Sequence, residues 1–198
     1  QITKTQAEAI NSYTTGQVTL TSIADTLNNL SSINSLPDSE VMMQMASLTV
    51  TDTATLTNAN TINAYTTGQV TLTSVSDTFA NITSIDAINT SEVTMANATV
   101  NVTDQVTKAQ ADAINSYTTG QVTLNSISDT SANLATLDAI NTSEVTIGTA
   151  EVNVLDTVTL ANANTINAYT TGQVTLTSIS DTFANITSID AINTSEVT

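Results

Sequence analysis

The chain has 198 residues, 40% of them hydrophobic but only 3% aromatic, with no Trp, so any core must be thin and built from Val, Ile, Leu and Ala. Eighteen acids against two lysines, Lys4 and Lys108, give a net charge of −16. This excludes a nucleic-acid partner, whose phosphates need clustered Lys or Arg, and disfavours an anionic membrane surface. With no Cys and no His there is no disulfide, thiolate metal site or Ser-His triad to assemble, and no apolar run reaches the roughly 18 residues of a spanning helix. The N-terminus has neither an initiator Met nor the basic and apolar regions of a signal peptide, so the chain reads as a piece of something longer.

Taken in order, the first stretch is Lys4 to Ser12, which returns almost unchanged as Lys108 to Ser116. It leads into Tyr13-Thr14-Thr15-Gly16, a phrase that recurs ending at Gly68, Gly120 and Gly172, at a constant 52-residue step without insertion or deletion. Fixed-period self-similarity of this kind marks a tandem array, expected here as one continuous solenoid segment over residues 1–198. Residues Thr61 to Thr94 and Thr165 to Thr198 differ only at Val75 against Ile179. A two-repeat superperiod therefore lies over the single one.

Within each repeat an Ile-Asn pair recurs at 26-residue steps, which places Asn11, Asn63, Asn89, Asn115, Asn141, Asn167 and Asn193 in one column. Leu36-Pro37 interrupts it once, in a first repeat that also carries Met42, Met43 and Met45. The step predicts two coils of about 26 residues per 52-residue repeat. In each coil apolar residues at spacings of three, as at Ile82, Ile85 and Ile88 or Ala59, Ile62 and Tyr65, favour a short helix. Asp or Thr would cap its start, and Gly16, Gly68, Gly120 and Gly172 would stop alternate helices.

The period then changes to two in Val70-Thr71-Leu72-Thr73 and in Thr99 to Thr103, the pattern of a half-buried strand. Strands, each followed at once by an Asp, alternate with helices. The predicted fold is an α/β solenoid of strand-turn-helix coils, with a parallel sheet on one side and right-handed crossovers. The Thr, Asn and Ser that fill the helices are weak helix formers, so an all-β solenoid is the alternative.

The acids Asp25, Asp52, Asp77, Asp104, Asp129, Asp156 and Asp181 form a column with one carboxylate per coil. Neighbours about 5 Å apart repel by roughly 1 kcal/mol even in water, so something must offset them. The structural reading is that each Asp caps its own helix; the ligand reading is a ladder of calcium sites. The Asn column is expected at buried corners, bonding the backbone of the next coil. Glu40, Glu92, Glu144 and Glu196 are expected on a solvated rim, and Tyr13, Tyr65, Tyr117 and Tyr169 at the helix ends. Paired acids can hydrolyse a glycoside, but near-identical repeats offer no unique pocket, so no enzyme is expected.

The phrases Asp77-Thr78-Phe79-Ala80-Asn81, Asp129-Thr130-Ser131-Ala132-Asn133 and Asp181-Thr182-Phe183-Ala184-Asn185 carry a resemblance. The chain resembles the Thr-, Ser-, Asn- and Asp-rich tandem repeats of very large bacterial, notably cyanobacterial, surface and extracellular proteins. It departs from leucine-rich repeats and from the calcium-binding β-roll. The resemblance implies an extracellular or cell-surface location and a role as fibre, sheath, stalk or adhesin. The implied partners are further copies of the repeat, end to end or side by side, or a polysaccharide; no cofactor is implied beyond the calcium reading above.

Overall fold

The computed structural model describes residues 1–88, 90–138, 144–190 and 197–198. The chain folds as two compact units, Gln1–Val100 and Asn101–Thr198. The first alternates helices α1 (Lys4–Ser12), α2 (Leu27–Asn34), α3 (Leu56–Asn63) and α4 (Phe79–Asp86) with strands. These strands are β1 (Val18–Thr19), β2 (Ser22–Asp25), β3 (Val41–Met42), β4 (Ser47–Ala54), β5 (Val70–Asp77) and β6 (Val93–Thr94). In chain order, β7 (Thr99–Val106) follows, beginning at the unit boundary. The second unit continues with α5 (Lys108–Tyr117), β8 (Val122–Asp129), α6 (Ser131–Asp138), β9 (Val145–Thr146) and β10 (Glu151–Val158), then α7 (Leu160–Asn167), β11 (Val174–Ile179) and α8 (Phe183–Asp190).

In the first unit β4 lies between β2 and β5, all parallel, while β6 pairs with the first two residues of β5 and β3 with β1. In the second unit β8 has β7 on one side and β10 on the other, β11 follows β10, and β9 pairs with the first two residues of β8. Helices α2 and α3 pack on β4, and α6 and α7 pack on β10. Within each unit this is the solenoid-like α/β arrangement expected, and the helices exclude the all-β alternative.

The helices form despite their composition because their polar side chains work for the backbone. Most are eight residues long, too short to persist alone. Thr55 accepts from the Asn58 amide while Asn58 Oδ1 accepts from the Thr55 amide, a closed capping box; Thr3 with Gln6, Thr107 with Gln110 and Thr159 with Asn162 repeat it. Further along, Thr61, Thr83 and Ser84 donate their hydroxyls to the carbonyls four residues back, which gives each hydroxyl a partner without adding to helix stability. The inward face does the rest. Ala59 and Ile62 of α3, which packs on β4 and β5, and Ile82 and Ile85 of α4, which packs on β5, are buried, as are Leu48, Val50, Val70 and Leu72 of those strands. Burying a side chain of this size contributes about 1.5–3 kcal/mol.

The 26-residue step is not the step of the fold. Helix-capping threonines stand at 3, 26, 55 and 78, so the second interval is longer than the first and the third, which are equal. The longer span holds, between β3 and β4, the turn in which the Ala46 amide donates to Met43 O at 2.9 Å. At matching places after their caps, α3 puts Ile62 and α4 puts Ile85, both buried; Ile88 lies beyond the end of α4 and is half-buried. The Ile-Asn pairs at 62/63 and 88/89 are therefore not equivalent, and the even spacing arises from two unequal halves. Pro37 sits in the turn after α2, where its carbonyl accepts from the Glu40 and Val41 amides. Met43 belongs to the core in the same slot as Met95 and Ile147, whereas Met45 is exposed.

Candidate functional site

The aspartate column was expected to cap its own helices. The capping residue is instead the threonine: Thr26 and Thr78 stand at the N-caps of α2 and α4 and accept from the Asn29 and Asn81 amides. The aspartate bridges two helices. Asp77, the last residue of β5, accepts from the Leu56 amide at the start of α3 (2.9 Å) through Oδ2. Through Oδ1 it accepts from the Thr78 amide (2.9 Å) and Asn81 Nδ2 (2.7 Å) at the start of α4. Asp25 joins α1 to α2 through Lys4, Thr26 and Asn29, Asp129 joins α5 to α6 through Lys108, Thr130 and Asn133, and Asp181 joins α7 to α8 through Leu160, Thr182 and Asn185.

The other aspartates belong to a second type. Asp52, Asp104 and Asp156 lie inside β4, β7 and β10, not after them, two residues before each strand ends. Asp52 accepts from the Leu27 amide of α2 (2.9 Å). Asp156 accepts from both the amide and the hydroxyl of Ser131 in α6, each at 2.7 Å. A local expansion accompanies this placement: three steps along β4 from Val50 to Thr53 match two along β5 from Leu72 to Ser74, a bulge repeated between β10 and β11. Thr73 Oγ1 donates to Val50 O at 2.8 Å across the bulge, and Thr177 does the same to Val154 O.

These contacts set the charge state. Burial works against ionisation at Asp25, Asp77 and Asp129, but the N–H donors outweigh it and hold all three carboxyls below their ordinary value. At Asp156 the Ser131 amide, and at Asp181 the Leu160 amide, is the main cause of the same downward shift; the charge of Asp129 opposes it slightly at Asp156. Asp86, the last residue of α4, is pushed up by burial. The column thus fixes carboxylates in nests of positive N–H ends.

The second joint is the Tyr-Thr-Thr-Gly phrase. No described glycine has a positive φ, and the helices end short of the glycines, at Ser12, Asn63, Tyr117 and Asn167, so Gly16, Gly68, Gly120 and Gly172 are not helix stops. What Gly68 and Gly172 provide is room. A Cβ on Gly68 would fall on the carbonyl of Ala46, with the carbonyl carbon at 2.7 Å, and one on Gly172 would meet Ala150 in the same way, with its carbon at 2.6 Å. The preceding Thr66 donates to Ala46 O (2.6 Å) and accepts from the Gly68 amide (2.9 Å), while the Thr67 amide donates to Gln44 O (2.8 Å). Thr170, Thr171 and Gly172 repeat the pattern on Ala150 and Gly148. At Gly120 the amide again donates to the threonine two residues before, Thr118.

Asn11, Asn63, Asn115 and Asn167 occupy the last turns of α1, α3, α5 and α7, half-buried and not at buried corners; Asn63 Nδ2 donates to Glu92 Oε2 at 3.3 Å. Asn89, Asn141 and Asn193 lie outside the described residues. Glu40, Glu92 and Glu144 are exposed; Tyr65 reaches Ser31 Oγ at 3.1 Å, and Tyr13 is exposed. No family model, curated protein or solved structure matches the chain. Asn81, Asn133 and Asn185 stand in the Asp-Thr-x-Ala-Asn phrases, but their role beside the aspartates, shared by Asn29, was not read from the sequence. The signal for them was Asp-Thr-x-x-Asn, a cap followed three residues later by an amide.

Proposed function

We propose that the chain is a structural repeat segment of an extracellular fibre, sheath or surface stalk, in which coils stack end to end on further repeats or subunits. One observation carries this reading. Apolar positions of this repeat are covered by the next coil, and where no coil covers them they face solvent: Ile127 and Leu134 are fully buried, while their counterparts Ile179 and Ile186 are 37% and 41% exposed, and Phe183 beside them is 87% exposed. At the other end of the series Ile10 is 42% exposed where Ile62 is 1% exposed. Repeats that bury their cores only against neighbours are extended by further neighbours.

Sedimentation velocity over a wide concentration range tests the proposal. Growth of end-to-end oligomers with concentration, promoted by salt that screens the net charge of −16, is the expected result. A monomer that persists at millimolar concentration in high salt refutes it. A second reading, attachment of polysaccharide, draws support from a groove of about 270 Å³ on the second unit, lined by Gln105, Ser126, Glu151, Asn153, Gln173 and Thr175. Its amides and hydroxyls suit sugar hydroxyls. Binding of the chain to a glycan array, lost on Asn153→Ala and Gln173→Ala, is its test.

A further inference from the structure

We propose that the seam between α2 and α3 binds a short chain of neutral sugar residues, one in each of two hollows that flank a tyrosine bridge. The inference goes beyond the stacking reading and owes nothing to where the chain begins or ends, since α1 precedes this pair of helices in the first unit and α4 follows it.

The two helices pack side by side. Toward their first turns lies a hollow of about 230 Å³, with Leu27 and Ile62 as its apolar lining and Asn28, Ser31, Asn58 and Thr61 as its polar lining. Toward their last turns a second hollow of about 280 Å³ is lined by Tyr65 together with Asn34, Gln44 and Thr67. Where the two adjoin, the Tyr65 hydroxyl meets Ser31 Oγ at 3.1 Å. Each hollow is smaller than an ordinary small-molecule pocket, whereas the pair together reaches that size.

The chemistry of the walls selects the occupant. No residue lining either hollow is charged, so a cation finds no carboxylate there, and the net charge of −16 disfavours an anion. The backbone groups of helices are spent on their own hydrogen bonds, so an extended peptide has no edge to pair with. What the walls offer is side-chain amides and hydroxyls. Asn28 and Asn34 are exposed, and their side-chain amides have no partner among the described residues. Asn58 Oδ1 accepts from the Thr55 amide (3.0 Å) and hydroxyl (2.8 Å), which leaves Nδ2 to donate. Gln44 Nε2 donates to Asp38 at 2.7 Å, which leaves Oε1 to accept. Such a set of donors and acceptors matches hydroxyl groups, each of which does both. Tyr65 adds an amphipathic ring for the C–H face of a sugar.

The second unit supplies an internal contrast. One wall recurs there unchanged, Asn58, Thr61, Ile62 and Tyr65 returning as Asn162, Thr165, Ile166 and Tyr169. The other is replaced: at the places of Leu27, Asn28, Ser31, Asn34 and Gln44 stand Ser131, Ala132, Ala135, Asp138 and Gly148. Every side-chain amide of that wall is gone, and Ala135 has no hydroxyl to offer a tyrosine. The site therefore belongs to the first unit alone.

The test titrates maltotetraose and cellotetraose into the intact chain, with tetragalacturonic acid as the anionic control, and follows amide chemical shifts. The expected result is saturation of one site by about 10 mM of a neutral sugar, the weak end of specific affinity, with shifts concentrated on Asn28, Ser31, Asn58, Thr61 and Tyr65. Asn28→Ala with Ser31→Ala should weaken binding about tenfold or more, the loss of two hydrogen-bonding groups. These are the residues that α6 carries at the same places, so the fold tolerates them. Transplanting the whole wall, by Ser131→Leu, Ala132→Asn, Ala135→Ser, Asp138→Asn and Gly148→Gln, should raise the stoichiometry from one to two; a side chain at Gly148 has room, its nearest neighbour being Thr146 Oγ1 at 3.6 Å. No saturation with either neutral sugar, equal shifts with the acid, binding indifferent to the double variant, or a transplant that gains no site overturns the proposal. Shifts confined to Asn153 and Gln173 put the sugar in the sheet groove and overturn it too. Sedimentation of the chain alone keeps the stacking reading separate, because oligomers without sugar binding overturn only the seam, and sugar binding by a persistent monomer supports the seam while removing self-stacking.

Discussion

Replacing Gly68 by alanine asks whether the Tyr-Thr-Thr-Gly corner is a close approach between coils or merely a flexible turn. The added methyl would overlap the Ala46 carbonyl, with the carbonyl carbon at 2.7 Å and the Ser47 nitrogen at 3.0 Å, and these are backbone atoms that cannot rotate away. The corner must move outward, loosening the bonds from Thr66 to Ala46 O and from Thr67 to Gln44 O. Overpacking of this kind costs about 1–3 kcal/mol. Gly16 supplies the internal control, since the nearest atom to its added methyl is Thr14 Oγ1 at 3.4 Å and its φ is not positive. There alanine restricts the unfolded chain and should stabilise by about 0.4–1 kcal/mol. Urea unfolding of the two variants, compared at equal m-value, should therefore give shifts of opposite sign. Equal and mild effects at both glycines would refute the close-approach argument.

The aspartates give a second set of outcomes. Asp77→Ala removes one carboxylate from the starts of two helices and should cost about 1–2 kcal/mol in urea unfolding, the scale of a helix cap. Asp25, Asp77, Asp129, Asp156 and Asp181 have folded pKa values below the ordinary one, so the stability they contribute is complete above about pH 4 and is lost as the pH falls through the folded values. Circular dichroism against pH should accordingly stay flat from neutrality to about pH 4 before declining; a decline that begins above pH 6 contradicts this. Asp86 has the opposite sign, its folded value being raised, so Asp86→Asn should raise the urea midpoint at pH 7, and only slightly because the residue is exposed. That gain should fade below about pH 4, where the carboxyl is protonated in both states. Thr66→Val removes a donor to Ala46 O and an acceptor for the Gly68 amide and should cost about 1–3 kcal/mol by unfolding, with Thr67→Val much milder because its amide bond to Gln44 survives.

The strands were legible because their alternation is a local property: Leu48, Val50, Val70 and Leu72 point inward and the threonines between them do not, as a period of two requires. Helices were legible through spacing, although propensity argued against them, since Thr, Asn and Ser were counted as weak formers and not as caps and hydroxyl donors. The coil boundary was misread because Ile88-Asn89 looks like Ile62-Asn63, while the equivalent of Ile62 is Ile85, followed by Asp86. Only the position of the capping threonine distinguishes them. The aspartate partners were hidden for a different reason. The Leu56 amide and Asp77 are 21 residues apart and the Leu27 amide and Asp52 are 25 apart, so the bonds are tertiary and no local pattern records them. For Gly68 the sequence signalled a turn; what demands glycine is the backbone of a different segment.

The alternation of shorter and longer coils bears on how such a chain changes length. Neighbouring coils present different joints: one supplies an aspartate at the end of its strand, the next an aspartate inside it beside a bulge. A coil removed singly would bring two joints of the same kind together, whereas removal or insertion of one whole repeat, cut at any point, restores the sequence across every junction. Unequal crossing-over in the coding repeat is therefore tolerated in pairs of coils, and variants of this chain that differ in length should do so by whole repeats and never by a single coil.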